Sequence, residues 1–218
     1  MHSVDLEINI NRASEFIDAG GPVVIALIVM SIIGLTVLLL KIWQFFVQQI
    51  DKREFIEQAI NAWRNEDLEL MKHVLDTSKN PIARVIESAA FACTQKNISD
   101  QVAREEVIRV ATSELTKLKS YLRIIEVIAA LSPLLGLFGT VLGMIEAFHR
   151  LELAGSAVDP SVLSGGIWEA LLTTAAGLAV AIPAIIALNW LEHRIESFKL
   201  AMEDAMTRIF TSQAMRIG

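Results

Sequence analysis

Cys93 is the only cysteine in the 218-residue chain. One thiol closes no disulfide within the chain and anchors no cysteine-rich metal site, so neither device is available to the fold. Proline occurs only five times, and neither a sequence repeat nor a low-complexity linker separates one part of the chain from another. Basic residues are in deficit, 19 against 25 acidic, and the net charge of -6 excludes a nucleic-acid binder that works by phosphate neutralisation. The chain carries no nucleotide-binding loop, no histidine–carboxylate metal spacing and no nucleophile motif, which leaves no enzyme site to propose.

Apolar residues are abundant instead: 53% of the chain is hydrophobic, with a positive mean hydropathy, a combination that a soluble domain of this size seldom shows. They fall in three blocks. Residues 23–40 run without a charge, 127–145 lie between Glu126 and Glu146, and 170–191 lie between Glu169 and Glu192. At about 1.5 Å per residue each block comes close to the roughly 30 Å of hydrocarbon in a bilayer. Three transmembrane helices are expected, with Lys41 snorkelling out of the first and Trp43 at the interface.

The segment 41–123 holds 13 of the 19 basic residues and the tail after Glu192 holds four, whereas the amino-terminal stretch and the 149–165 loop hold one each, Arg12 and Arg150. The positive-inside rule then places the amino terminus outside and the middle segment and tail in the cytoplasm. Asp5, Glu7, Glu15 and Asp18 suit an outside end, and the stretch lacks the basic region of a cleavable signal. The expected organisation is a periplasmic amphipathic segment (1–21) and a first span (22–46), then a cytoplasmic helical region (47–123). A second span (124–148), a periplasmic loop (149–165), a third span (166–191) and a cytoplasmic helical tail (192–218) complete it.

Ala13, Phe16 and Ile17 make an apolar face opposite Arg12, Glu15 and Asp18, so a short helix is expected on the outer membrane surface, stopped by the Gly-Gly-Pro of 20–22. Asn80 before Pro81, and Ser99 before Asp100, are helix starts. Val107, Val110, Ala111, Leu115, Leu118, Leu122 and Ile125 recur at helical spacing, which predicts one unbroken helix running on into the second span. The tail is expected to continue the third helix.

On a helical wheel the second span separates a small face (Ala129, Ser132, Pro133, Gly136, Thr140, Gly143 and Ala147, with Gly139 at its margin) from a bulky one (Leu131, Leu134, Leu135, Phe138, Val141, Leu142 and Ile145). Glycine costs about 1 kcal/mol in a helix interior and proline about 3, so this face must be compensated by something it meets. Close helix packing of the small-xxx-small type is one reading; a pathway or a cavity that receives a partner helix is the other. The third span repeats the asymmetry: Ile167, Leu171, Leu178, Ile182 and Ile185 form a bulky stripe. Glu169, Thr173, Ala176, Val180 and Ala187 lie roughly opposite, flanked by Gly177 and Ala184. Thr174 lies about 100° round from Thr173. Glu169, at the edge of the span, is a candidate ion-handling group or an interfacial carboxylate in water, whereas Glu126, Glu146, His149 and His193 read as interfacial. Pro183 is a candidate kink.

The run LSPLLGLFGTVLGMIEAF (131–148) followed by GGIWEALLTTAAGLAVAIPAIIALNWLEHRI (165–195) resembles the signature of the MotA/TolQ/ExbB proton-channel family, and three spans resemble its ExbB/TolQ branch. The resemblance implies an all-α integral membrane protein of the bacterial inner membrane. It implies a homopentamer whose second and third spans surround the single helices of an ExbD- or TolR-like dimer. It implies no cofactor beyond the translocated H+, no enzyme activity, and work passed to a TonB-like, TolA-like or motility effector. Thr140 and Thr174 match the family's pore threonines and Glu169 its ExbB-type glutamate. Ser132, Pro133, Gly136, Gly139, Gly143, Ala176, Gly177, Val180 and Pro183 would line the pore or pack the partner helix. Thr173 departs from the usual alanine before the pore threonine, and its hydroxyl makes Na+ the alternative coupling ion, since hard cations take oxygen ligands. A stand-alone channel and a scaffold without an ion path are the rival readings.

Overall fold

The computed structural model describes residues 2–95, 99–154 and 160–217, and every element among them is an α-helix. The helices are α1 (His2–Val47), α2 (Glu54–Arg64), α3 (Leu68–Thr77), α4 (Pro81–Thr94), α5 (Asp100–Lys119), α6 (Leu122–Ala154) and α7 (Pro160–Ile217). Stretches of α1, α6 and α7 are long and apolar enough to cross a membrane: Gly21–Val47, Leu122–Leu153 and Leu163–Met215. The chain divides into two compact units, one made of the residues up to Leu38 with Tyr121–Asn189, the other of Leu39–Ser120 with the residues from Trp190 onward.

In the first unit, α1 kinks at Gly21, whose φ of 58° and ψ of -154° lie outside the helical region. Glycine takes a positive φ without steric cost, and Pro22 disfavours a helical conformation at the residue before it. The stop expected at 20–22 is therefore a kink between two helical stretches. Beyond it Ile25, Val29, Ile32 and Leu35 are exposed along α1, as are Leu134, Phe138, Val141 and Ile145 along α6. The bulky faces turn away from this unit's own helices, as their segregation predicts.

The unbroken helix expected from the second unit into the second span is absent. α5 ends at Lys119, Tyr121 takes a left-handed φ of 66°, and α6 begins at Leu122. A non-glycine residue in that region costs about 1–2 kcal/mol. The Ser120 hydroxyl donates to the Lys117 carbonyl at 2.7 Å, and the Ile124 amide donates to the Tyr121 carbonyl at 3.1 Å. Val107, Ala111, Leu118, Leu122 and Ile125 are all buried, so the stripe was a sound guide to burial but blind to the backbone break inside it.

Lys41 does not snorkel. Its side chain is 1% exposed, and its ammonium donates to the Leu118 carbonyl at 2.8 Å and to Gln44 Oε1 at 2.9 Å. The end of α5 leaves carbonyls without intrahelical donors, and a buried cation is better matched there than in an apolar wall.

The rest of the second unit is a helical cluster in which α2 packs on α3 and α4 on α5. Asn80 caps α4 as expected, its Oδ1 accepting from the Ile82 amide at 3.0 Å. Its Nδ2 also donates to the carbonyls of Gln49 and Lys52, at 3.0 Å each, and so holds the turn in which Gln49 has a φ of 50°. Ser99 caps α5 through the Val102 amide at 3.4 Å. The tail buries Ile195, Phe198, Met202, Ala205 and Ile209, an alternating three-and-four spacing that gives a helix one continuous apolar seam. Polar pairs flank that seam: Arg194 with Asp51 (2.6 Å), Arg53 with Ser197 (3.1 Å), Arg208 with Glu57 (2.7 Å) and Arg64 with Ser212 (3.4 Å).

Candidate functional site

Within the first unit, α6 and α7 meet through their small residues. A methyl group on Gly136 would lie 3.0 Å from the Thr173 carbonyl oxygen and 3.3 Å from the Gly177 Cα. One on Gly177 would lie 2.5 Å from the Ser132 carbonyl oxygen and 3.0 Å from the Gly136 Cα. Backbone rests on backbone at this crossing, and the contact offsets the poor helix propensity of its glycines. Gly139 leaves a notch that Thr173 fills, since a Cβ there would lie 2.5 Å from Thr173 Oγ1; Gly143 faces Ala170 in the same way at 3.1 Å.

Hydroxyl groups follow this seam. Ser132, fully buried, donates to the Ile128 carbonyl at 2.6 Å. Thr173, 4% exposed, donates to the Ala170 carbonyl at 2.7 Å and lies 3.2 Å from the Gly136 carbonyl. Thr174 is half-buried and donates across the seam to the same Gly136 carbonyl at 3.2 Å. Thr140, also half-buried, donates to the Leu137 carbonyl of its own helix at 2.6 Å. Glu169 is half-buried on α7 and makes no hydrogen bond or ion pair among the described residues.

The candidate residues thus divide. Ser132, Gly136, Gly139, Gly143, Thr173 and Gly177 meet at the α6–α7 seam, and Thr140, Pro133, Thr174 and Glu169 are the partly accessible ones. Ala176, Val180 and Pro183 are elsewhere on α7. Ala176 and Val180 line a cleft of about 270 Å³ with Val24, Leu27 and Ser31 of α1, and Val180 and Pro183 line one of about 150 Å³ with Ser31 and Gly34. Ala170 and Ala181, both buried, were not singled out from the sequence. Their signal is the register 170, 173, 177, 181, small or hydroxyl-bearing at every three or four positions and one residue off the Glu169 register.

No cluster of metal-binding side chains occurs among the described residues. Cys93 is half-buried in the second unit, where burial and the Asp100 carboxylate push its thiol up, away from the reactive thiolate.

The crossing of small residues thus leaves Thr140, Thr174 and Glu169 partly accessible on two helices long enough to span a membrane. The profile of the MotA/TolQ/ExbB proton channel family matches residues 77–204. The chain belongs to this family. The match covers α6, the α6–α7 seam and most of α7. Among MotA/TolQ/ExbB relatives, the putative biopolymer transport protein ExbB-like 1 of Synechocystis is 30% identical over 173 residues, 78% of this chain and 66% of that protein. The biopolymer transport protein exbB1 of Vibrio cholerae is 33% identical over 159 residues, 70% of this chain and 68% of that protein. The biopolymer transport protein ExbB of Salmonella typhimurium is 38% identical over 87 residues, 40% of this chain and 35% of that protein. This MotA/TolQ/ExbB chain is therefore a membrane protein of a proton-channel family, and it spans about two thirds of the length of the first two of these relatives.

Proposed function

We propose that the chain is an ExbB/TolQ-type motor subunit of the bacterial inner membrane, which couples ion flow to mechanical work on a periplasmic or outer-membrane system. Its amino terminus is periplasmic and its carboxy terminus cytoplasmic, following the distribution of Lys and Arg. Five copies surround a dimer of single-span ExbD/TolR-like helices, and the effector, TonB-like, TolA-like or a motility device, is reached through that partner. The observation that supports this reading is that Thr140, Thr174 and Glu169 stay half-buried on α6 and α7, outside the tight small-residue packing of the seam, in a member of a proton-channel family. The carboxylate that takes the ion aboard belongs to the partner's helix. Thr140, Thr174 and Glu169 supply the other wall of the path, with Pro133 beside it.

Proton coupling is favoured over Na+. The extra hydroxyl that raised the sodium alternative, on Thr173, is buried and engaged with the Ala170 carbonyl, so it is spent on packing the helices and not offered to an ion. The bulky exposed faces of α6 and α7 suit contact with lipid and with neighbouring copies.

The decisive experiment is the native mass of the detergent-purified chain, alone and coexpressed with a single-span ExbD/TolR-like protein of the same genome. A pentamer that gains two copies of that protein is expected. A monomer or dimer that gains none, with ion flux from the chain alone, would replace the motor by a stand-alone channel.

A further inference from the structure

Lys52 and Glu54, in the second unit, are opposite charges two residues apart that do not use one another. Both are exposed, and neither side chain makes a hydrogen bond or an ion pair among the described residues. They line a cleft of about 350 Å³ formed by the turn after α1, the start of α2 and the end of α3. His73 is the other titratable side chain in its wall, so with histidine neutral the charges of the lining cancel. Asn80 Nδ2 occupies the carbonyls of Gln49 and Lys52, and the turn therefore offers the cleft side-chain donors, the Lys52 ammonium and the Gln49 amide, in place of those acceptors. The Ser78 hydroxyl accepts from the Asn80 amide at 3.3 Å and keeps its own proton to donate. Thr77 is the reverse: its proton is held by the carbonyls of His73 and Val74, at 3.1 and 3.0 Å, and lone pairs remain.

The cleft lies at the level of a membrane surface. Val47 ends the stretch of α1 able to cross a bilayer, and Trp43 and Phe46, close to that end, are exposed as interfacial aromatics are. The Gln49 amide donates to the Phe46 carbonyl at 3.2 Å and the Lys52 amide to the Gln49 carbonyl at 2.9 Å, so the turn stays coiled on the end of the span.

We infer that this cleft binds the headgroup of a zwitterionic phospholipid, one that carries a phosphate and a primary ammonium. Lys52, with the Gln49 amide and the Ser78 hydroxyl, takes the phosphate oxygens; Glu54, with the Thr77 oxygen, takes the ammonium. Phe55 and Val74, both half-buried in the same wall, meet the glycerol and the first methylenes. A phosphate without an ammonium would leave Glu54 facing a like charge, and a quaternary ammonium has no N–H to give it. Phosphatidylethanolamine therefore fits this donor set better than phosphatidylglycerol or phosphatidylcholine. Bound there, the lipid bridges the turn to α2 and α3 and ties the helical cluster to the membrane surface. The inference needs α1 to span the membrane, and it is independent of the ion path and of the number of copies in the assembly.

The test is native mass spectrometry of the full chain in detergent. It is titrated in turn with phosphatidylethanolamine, with phosphatidylglycerol of the same acyl chains, and with soluble phosphoethanolamine. The native chain is expected to hold the first more tightly than the second. Lys52→Gln should weaken phosphatidylethanolamine about threefold, the scale of an exposed ion pair, and Glu54→Gln should weaken it as much. Glu54→Gln should leave phosphatidylglycerol bound at least as well as before, because a repulsion is removed, so the preference between the two lipids disappears. Lys119 is exposed and follows the Leu118 whose carbonyl Lys41 holds, so Lys119→Gln is the control for charge near the membrane and should change neither affinity. Thermal melts confirm that the three variants, all at exposed positions, are folded. Equal affinity of the native chain for the two lipids, or a loss in Lys119→Gln as large as in Lys52→Gln, overturns the inference. Binding of phosphoethanolamine by a chain that holds phosphatidylethanolamine no better than Glu54→Gln does overturns the lipid and makes the cleft a site for a soluble phosphoester.

Discussion

The ammonium of Lys41 lies 2.8 Å from the carbonyl oxygen of Leu118, 77 residues further along the chain, with almost no solvent contact and no ion pair to a carboxylate among the described residues. Lys41→Met is expected to leave that carbonyl buried without a donor, at a cost of about 1–3 kcal/mol. A lysine that merely snorkelled would be replaced by methionine at little cost. Thermal unfolding of the purified chain in detergent separates the two, and an unchanged midpoint would mean that Lys41 is not bound to α5.

Gly177→Ala is expected to destabilise the α6–α7 crossing, because the new methyl would stand 2.5 Å from the rigid Ser132 carbonyl oxygen. Overpacking of this kind costs about 1–3 kcal/mol. Gly165→Ala meets nothing within 4 Å and is the control. Size-exclusion profiles and thermal melts of the two variants should diverge, and equal behaviour would refute close packing at Gly177.

Thr173→Ala empties the notch at Gly139 and removes the hydroxyl that the sodium alternative depends on. Expected is a loss of about 1 kcal/mol in stability, comparable to a net hydrogen bond, with the coupling ion unchanged. Ion uptake under separate H+ and Na+ gradients checks this. A variant that loses Na+ dependence while keeping its melting temperature would restore Thr173 as an ion ligand.

Glu57 is exposed, yet the hydrogen bond from the Arg208 guanidinium holds its carboxyl below its ordinary value of 4.5. A depressed carboxylate contributes stability that is complete above its unfolded pKa and is lost as pH falls through the folded one. Glu57→Gln should therefore lower the melting temperature slightly at pH 7 in low salt, and the difference should close in acid and in high salt, where exposed ion pairs are screened. A difference that persists at low pH would point to packing instead of charge.

Glu169→Gln is expected to slow ion-driven work severalfold without a change in assembly, because the side chain makes no hydrogen bond or ion pair among the described residues and glutamine keeps its shape. Native mass gives the assembly and proteoliposome uptake the rate. A variant that assembles and works like the parent would leave Glu169 as an interfacial carboxylate.

Much of this could be read along the chain because it is periodic. Val23 to Leu40, the bulky row Leu134, Phe138, Val141 and Ile145, and the caps at Asn80 and Ser99 each depend on residues within a turn or two of one another, where helical geometry leaves little freedom. The polar pairs between 51–64 and 194–212 were not legible, since they join side chains more than 140 positions apart.

The sequence by itself determined three apolar spans, the separation of small from bulky faces on the second and third, and membership of a proton-channel family. Those follow from composition and from a 3.6-residue repeat, which fixes the angle at which a side chain leaves its helix. Only the tertiary structure decided what stands opposite each face. It turned Gly136 and Gly177 onto one another, buried Thr173 while leaving Thr174 half-open, set Val180 and Pro183 beside α1, broke the helix at Tyr121 and gave Lys41 a carbonyl in place of solvent. An angle on a wheel carries no distance to a neighbour, and at each of these positions it is the neighbour that decides whether a group is packed, bonded or free to meet an ion.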